Sequence, residues 1–131
     1  MVAVMDKVKS TEQVIRPILK RLNSISEAIE ASAVMTRDGF SLASVIDKTV
    51  DVDRLGAMCA STLSLADKTS KELSRGNLKQ VMIEGDDGYV MIVHIGTTAV
   101  LAVVSRPTAN LGKVFIETKR IAKEIADTKV I

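Results

Sequence analysis

The chain has 131 residues, 47% of them hydrophobic, enough for one domain over 1–131 with a sizeable core. Its 18 basic and 16 acidic groups leave a net charge of +2, which excludes a dedicated nucleic-acid binder, and three aromatics (Phe40, Tyr89 and Phe115) supply no row for base stacking. Cys59 is the one cysteine, so no disulfide framework is available; with no leader-like start and no apolar run inside the chain longer than residues 99–104, the expectation is a cytoplasmic protein without membrane insertion.

Residues 1–10 have mixed character and suit either extended chain or the start of a helix. Ser10-Thr11-Glu12-Gln13 offers a cap, with Gln three residues after Ser10, and Val14, Ile15, Ile18, Leu22 and Ile25 then recur at helical spacing. Pro17 sits inside this pattern and predicts either a kink or the first turn of a helix that begins later. Residues 29–36 read as a strand, Arg37-Asp38-Gly39 as a turn, and residues 40–45 as the returning strand, because Asp-Gly between apolar runs tolerates the backbone a hairpin needs.

Residues 52–75 form the longest helical pattern, with Gly76 as its stop. At about 100° per residue, Val52, Leu55, Cys59, Leu63, Ala66 and Leu73 share an arc expected to lie on a sheet. Met58, Thr62, Leu65 and Thr69 make a second shoulder beside it, and Asp53, Asp67, Lys71 and Arg75 take the far side. Two adjacent apolar faces mean either one wide core stripe or a helix that touches its own sheet with one face and a partner with the other.

Three apolar runs follow, at 78–84, 89–95 and 99–105, separated only by Gly85-Asp86-Asp87-Gly88 and Gly96-Thr97-Thr98. Loops this short join antiparallel neighbours, since a parallel crossover needs a dozen or more residues. The second and third runs are apolar at nearly every position, which predicts a sheet covered on both faces. After the break at Arg106-Pro107, Asn110 caps a last helix with the stripe Leu111, Val114, Phe115, Thr118, Ile121, Ala122 and Ile125. Lys113 with Glu117 and Arg120 with Glu124 stand four residues apart on its wet face. The fold class is therefore α+β: a five-stranded antiparallel sheet in the order α-β-β-α-β-β-β-α, the middle helix on one face and the first and last on the other.

Reactive constellations are scarce. His94 is the single histidine and lies mid-strand, where a hydrogen-bonded structural role is expected; Cys59 falls on the sheet-facing arc as a packed thiol. One His and one Cys cannot build a zinc shell, Asp86-Asp87 falls short of a calcium loop, and neither G-x-x-x-x-G-K-[ST] nor G-x-G-x-x-G occurs. Lys113, Lys119, Arg120 and Lys123 read as a solvated helix face. The expectation is a protein that is not an enzyme and needs no cofactor or metal.

This order, together with Arg37-Asp38-Gly39 in the first hairpin, Glu84-Gly85-Asp86-Asp87-Gly88-Tyr89 in the meander and Asn110-Leu111-Gly112 opening the last helix, resembles the Roadblock family over nearly the whole chain. That family comprises relatives of a dynein light chain and prokaryotic regulators of small Ras-like GTPases, with layering like that of profilins and longins. The resemblance implies a homodimer in which the strand at 78–84 pairs with its copy and the middle helices pack together. It implies a small Ras-like GTPase as partner, docked near the middle helices, and it carries over no catalytic residue. The residues expected at the dimer or partner interface are Met58, Thr62, Leu65, Thr69, Gln80 and Met82. No arginine stands out as an inserted finger; Arg37, next to a hairpin tip, and Arg54, at the start of the middle helix, are the candidates. The competing readings are a structural dimeric adaptor with no effect on nucleotide turnover, and a small-molecule sensor, which requires a pocket with convergent polar groups.

Overall fold

The structure, a computed structural model, describes residues 2–46 and 50–131, and side chains from Ser10 onward. Its elements are α1 (Val2–Ile25), β1 (Ile29–Thr36), β2 (Ser41–Val45), α2 (Val52–Glu72), β3 (Gln80–Gly85), β4 (Gly88–Ile95), β5 (Ala99–Ser105) and α3 (Leu111–Thr128). The strands form one antiparallel sheet in the order β2-β1-β5-β4-β3. The most uniformly apolar run, β5, takes the centre. Its neighbours β1 and β4 flank it, and β2 and β3 are the two margins.

The sheet divides the core in two. Ile15, Leu19 and Leu22 of α1 and Val114, Ile121 and Ile125 of α3 pack on Val34, Met91, Val93, Leu101 and Val103 on one face. Leu55, Cys59 and Leu63 of α2 pack on Ala33, Met35, Ile92, Val100 and Ala102 on the other. Three layers with α2 alone on one side are what the sequence pattern predicts.

Some boundaries differ from that pattern. α1 begins at Val2, so Ser10 and Thr11 lie inside the helix and do not cap it. The helix also continues through Pro17. Proline removes one main-chain bond, yet Ile15 before it and Leu19 and Leu22 after it have no exposed surface, and this packing outweighs the local penalty. The buried stripe of α1 therefore includes Leu19, while Val14 is 36% exposed beside it. The Thr11 hydroxyl donates to the Val130 carbonyl at 3.2 Å, tying α1 to the residues after α3.

The N-terminus of α2 is set by Asp51, whose carboxylate accepts from the amides of Asp53 and Arg54. One turn later Gly56 meets Gly39 of the first hairpin backbone to backbone: a Cβ on Gly56 would lie 2.1 Å from the Gly39 carbonyl oxygen. α2 ends at Glu72, earlier than Gly76 predicts, because Leu73 takes the cap and Ser74 already adopts φ +55°. In α3, Asn110 caps as expected by accepting from the Lys113 amide. Its charges pair otherwise than expected: Glu117 meets Arg120 at 3.3 Å, and Glu124 meets Arg21 of α1. A base four residues ahead of an acid is the poorer helical order, and Arg21 offers Glu124 a partner across the helix–helix contact.

Candidate functional site

α2 covers the sheet off-centre. It buries Leu55, Gly56, Cys59 and Leu63, and the shoulder beside this stripe stays bare. Met58 is 53% and Leu65 68% exposed; Thr69 is exposed and Thr62 half-buried. The Thr62 and Thr69 hydroxyls each donate to the carbonyl four residues back, Met58 and Leu65, at 2.8 Å. Both donors are thereby satisfied within the helix, so the shoulder as a whole is apolar in character. Leu73, expected on the sheet, is instead the cap residue after α2, where the helical spacing no longer holds, and is 62% exposed.

Between this shoulder and β3 runs a groove of about 570 Å³. Thr62, Leu65, Ala66, Thr69 and Leu73 form its wall, Leu78, Gln80 and Val81 its floor, and Ser70 and Arg75 its far end. Apart from the Gln80 amide, its polar side chains already hold intramolecular hydrogen bonds. The Ser70 hydroxyl donates to the Gly76 carbonyl at 2.7 Å, and Arg75 Nε donates to the Leu73 carbonyl at 3.0 Å. An apolar trough whose hydroxyls turn inward suits a protein surface better than a small ligand.

Strand register decides which β3 side chains belong to it. Val81 stands opposite Ile92 and Ile83 opposite Val90, and those partners pack on the α2 side. Met82 stands opposite Met91 and Gln80 opposite Val93, which belong to the α1–α3 side. Alternation therefore separates Met82 from Met58, Thr62, Leu65 and Thr69, while Gln80 reaches the groove only along its floor. Val81, Leu73, Leu78, Ala66, Ser70 and Arg75 are groove residues that sequence reasoning did not select for the interface. Among the described residues β3 pairs with β4 alone, so its outer edge carries main-chain groups with no strand partner there, and Met82 is 38% and Ile83 44% exposed.

Of the two candidate arginines, Arg37 is engaged. Its guanidinium lies 3.5 Å from the Asp67 carboxylate on α2 and 3.4 Å from the Thr97 carbonyl. Arg54 is exposed in the first turn of α2, with no side-chain partner among the described residues. A second, polar concavity of about 500 Å³ lies on the other side of Leu65, with Arg37, Asp38, Ser61, Ser64 and Lys68 around it.

His94 is half-buried, in register with Val100, and its ring makes no hydrogen bond to another described residue, contrary to expectation. Cys59 is 3% exposed, and burial pushes its thiol pKa up, which keeps it protonated and unreactive. Among the described residues no group of three or more His, Cys, Asp or Glu is placed to hold a metal ion. No described helix is long and apolar enough to cross a membrane.

Comparison with known proteins fits this geometry. The sequence model of the Roadblock/LC7 domain matches residues 17–105. The uncharacterized protein MJ1340 of Methanocaldococcus jannaschii is 36% identical over 108 residues, covering 82% of this chain and 93% of that protein. Among solved structures, one described as MglB with tetrameric arrangement superposes with a TM-score of 0.82 at 22% identity, covering 92% of this chain and 93% of that one. The gliding protein MglB from Thermus thermophilus gives 0.80 at 21%, covering 89% of each. At such identities the two structures speak for the fold.

Proposed function

The chain belongs to the Roadblock/LC7 domain family, and from that premise we propose that it is a homodimeric regulator or scaffold of a small Ras-like GTPase, one such unit over residues 1–131, acting in the cytoplasm through protein–protein contacts. The observation that carries the reading is the apolar groove between α2 and the unpaired edge of β3. A second copy that pairs β3 and lays its α2 against the shoulder of Met58, Leu65 and Leu73 covers both liabilities at once. The tetrameric arrangement described for the similar MglB accords with self-association of this fold.

The dimer presents α2, with its polar concavity and exposed Arg54, to the GTPase. Phosphoryl transfer needs positioning and charge stabilisation more than covalent help, so a surface that holds the switch loops of its partner in place accelerates hydrolysis without nucleotide-binding residues of its own. The second reading is a structural adaptor with no effect on turnover. What favours it is Arg37, whose charge Asp67 already compensates, leaving no preformed finger at the hairpin tip.

The test mixes the purified protein with small GTPases encoded in the same genome and follows complex formation, hydrolysis and exchange. Binding with faster hydrolysis or exchange supports regulation. Binding at an unchanged rate supports the adaptor, and no binding to any of them removes the GTPase from the account.

A further inference from the structure

Resting on the dimer reading above, we infer that two copies join through β3 in a single register, with Met82 facing the second copy's Met82 on the two-fold axis, Gln80 facing its Glu84 and Val81 facing its Ile83. The main-chain pattern limits the choices. Gly85 and Gly88 stand opposite each other across the two-residue turn Asp86-Asp87, and the pair closing such a turn exchanges both main-chain bonds. Bonding alternates along an antiparallel ladder, so Ile83 and Val81 also bond inward to β4. Gln80, Met82 and Glu84 then turn their N–H and C=O groups outward.

A continuous sheet built on a two-fold axis keeps α2 on the same face in both copies. Residues directly opposite must therefore share a face, so their numbers sum to an even value. Six residues could lie on the axis; Gln80 and Gly85, at the ends, would pair almost none of the strand and Glu84 would face its own charge, which leaves Val81, Met82 and Ile83. Centring on Val81 sets Lys79 against Ile83 and Gln80 against Met82, and leaves Glu84 opposite Leu78. Centring on Ile83 sets Met82 against Glu84 and Val81 against Gly85. Each places charged or polar groups against apolar ones, or forfeits the Val81 contact. Centring on Met82 matches like with like. Met82 packs on its copy, and the Gln80 amide reaches the Glu84 carboxylate twice on the α1–α3 side. Val81 joins Ile83 twice on the α2 side, where Val81 already floors the groove. This register pairs every residue from Gln80 to Glu84.

Cysteine cross-linking reads the register directly. In the full chain, Cys59 is buried and serves as the silent background. On the axis, Cα atoms of an opposed bonded pair stand roughly 5.5 Å apart, within disulfide reach. One residue off the axis the two copies are displaced about 7 Å along the strand, plus the spacing between strands, which is out of reach. Under mild oxidation Met82→Cys gives covalent dimers, Val81→Cys and Ile83→Cys alone do not, and a mixture of the latter two does. Independently, Gln80→Lys tightens self-association and Gln80→Glu loosens it, each roughly threefold to tenfold, because the new charge faces Glu84 twice.

Cross-linking of Val81→Cys alone or Ile83→Cys alone, or equal effects of the two Gln80 variants, overturns the register and leaves the dimer standing. So does a dimer by sedimentation that cross-links at none of the three positions. An unmodified chain that sediments as one copy brings down the dimer reading itself.

Discussion

The hydroxyl of Thr118 lies on the buried stripe of α3 with no exposed surface and no hydrogen-bond partner among the described residues. An enclosed hydroxyl of this kind costs on the order of 1–3 kcal/mol, and valine has nearly its shape without the polar atom. Thr118→Val is therefore expected to raise unfolding stability by about 1 kcal/mol, read as a higher urea midpoint at unchanged slope. A lowered midpoint would reveal a partner for that oxygen. Gly56 makes the opposite case. Any side chain there collides with the Gly39 carbonyl, which is backbone and cannot rotate away. Gly56→Ala should cost about 3 kcal/mol by the same measurement, through overpacking, although alanine is the better helix former. If propensity won instead, the variant would be the more stable.

For α2, position on the helix decides what a substitution does. Leu63 faces the sheet and Leu65 faces away from it, so a charge at Leu65 leaves the core intact and spoils only the bare shoulder. Leu65→Asp is expected to leave the thermal midpoint of the dilute protein nearly unchanged. It should also weaken self-association by an order of magnitude or more in sedimentation, since a carboxylate would be buried in each copy. An undiminished dimer would remove α2 from the contact.

Among the elements, β1 and β5 fall at their expected bounds because apolar runs flanked by turn chemistry leave little freedom. The two-shouldered character of α2 was readable from spacing alone. The start of α1 was not. Ser10-Thr11-Glu12-Gln13 has the composition of a cap, and nothing local tells a cap from residues inside a longer helix. The choice of Gln80 and Met82 over Val81 and Ile83 had no local answer either, since both parities of β3 carry apolar side chains and only the register with β4 assigns the faces. Arg37 looked free at its hairpin tip because Asp67, which holds it, lies thirty residues away in the sequence.

Taken whole, the molecule is a Roadblock/LC7 fold whose sheet is covered by two helices on one face and by α2 on the other, with β3 partly bare on both. The fold class followed from element order and loop length, which are properties of the chain as a string. The candidate surface followed only in part: spacing marked the α2 shoulder, but which β3 side chains lie beside it depends on strand register, which no local pattern encodes.

The partition of the core into unequal halves also has a dynamic consequence. Among the described residues, two helices share the larger cluster, while α2 rests alone on the smaller one. The segment with the thinner anchorage opens at lower free energy. In deuterated water the amides of α2 should therefore label before those of β5 and the second half of α1. Raising the protein concentration should slow that labelling at α2 and at Gln80, Met82 and Glu84 together, while α3 keeps its own pace.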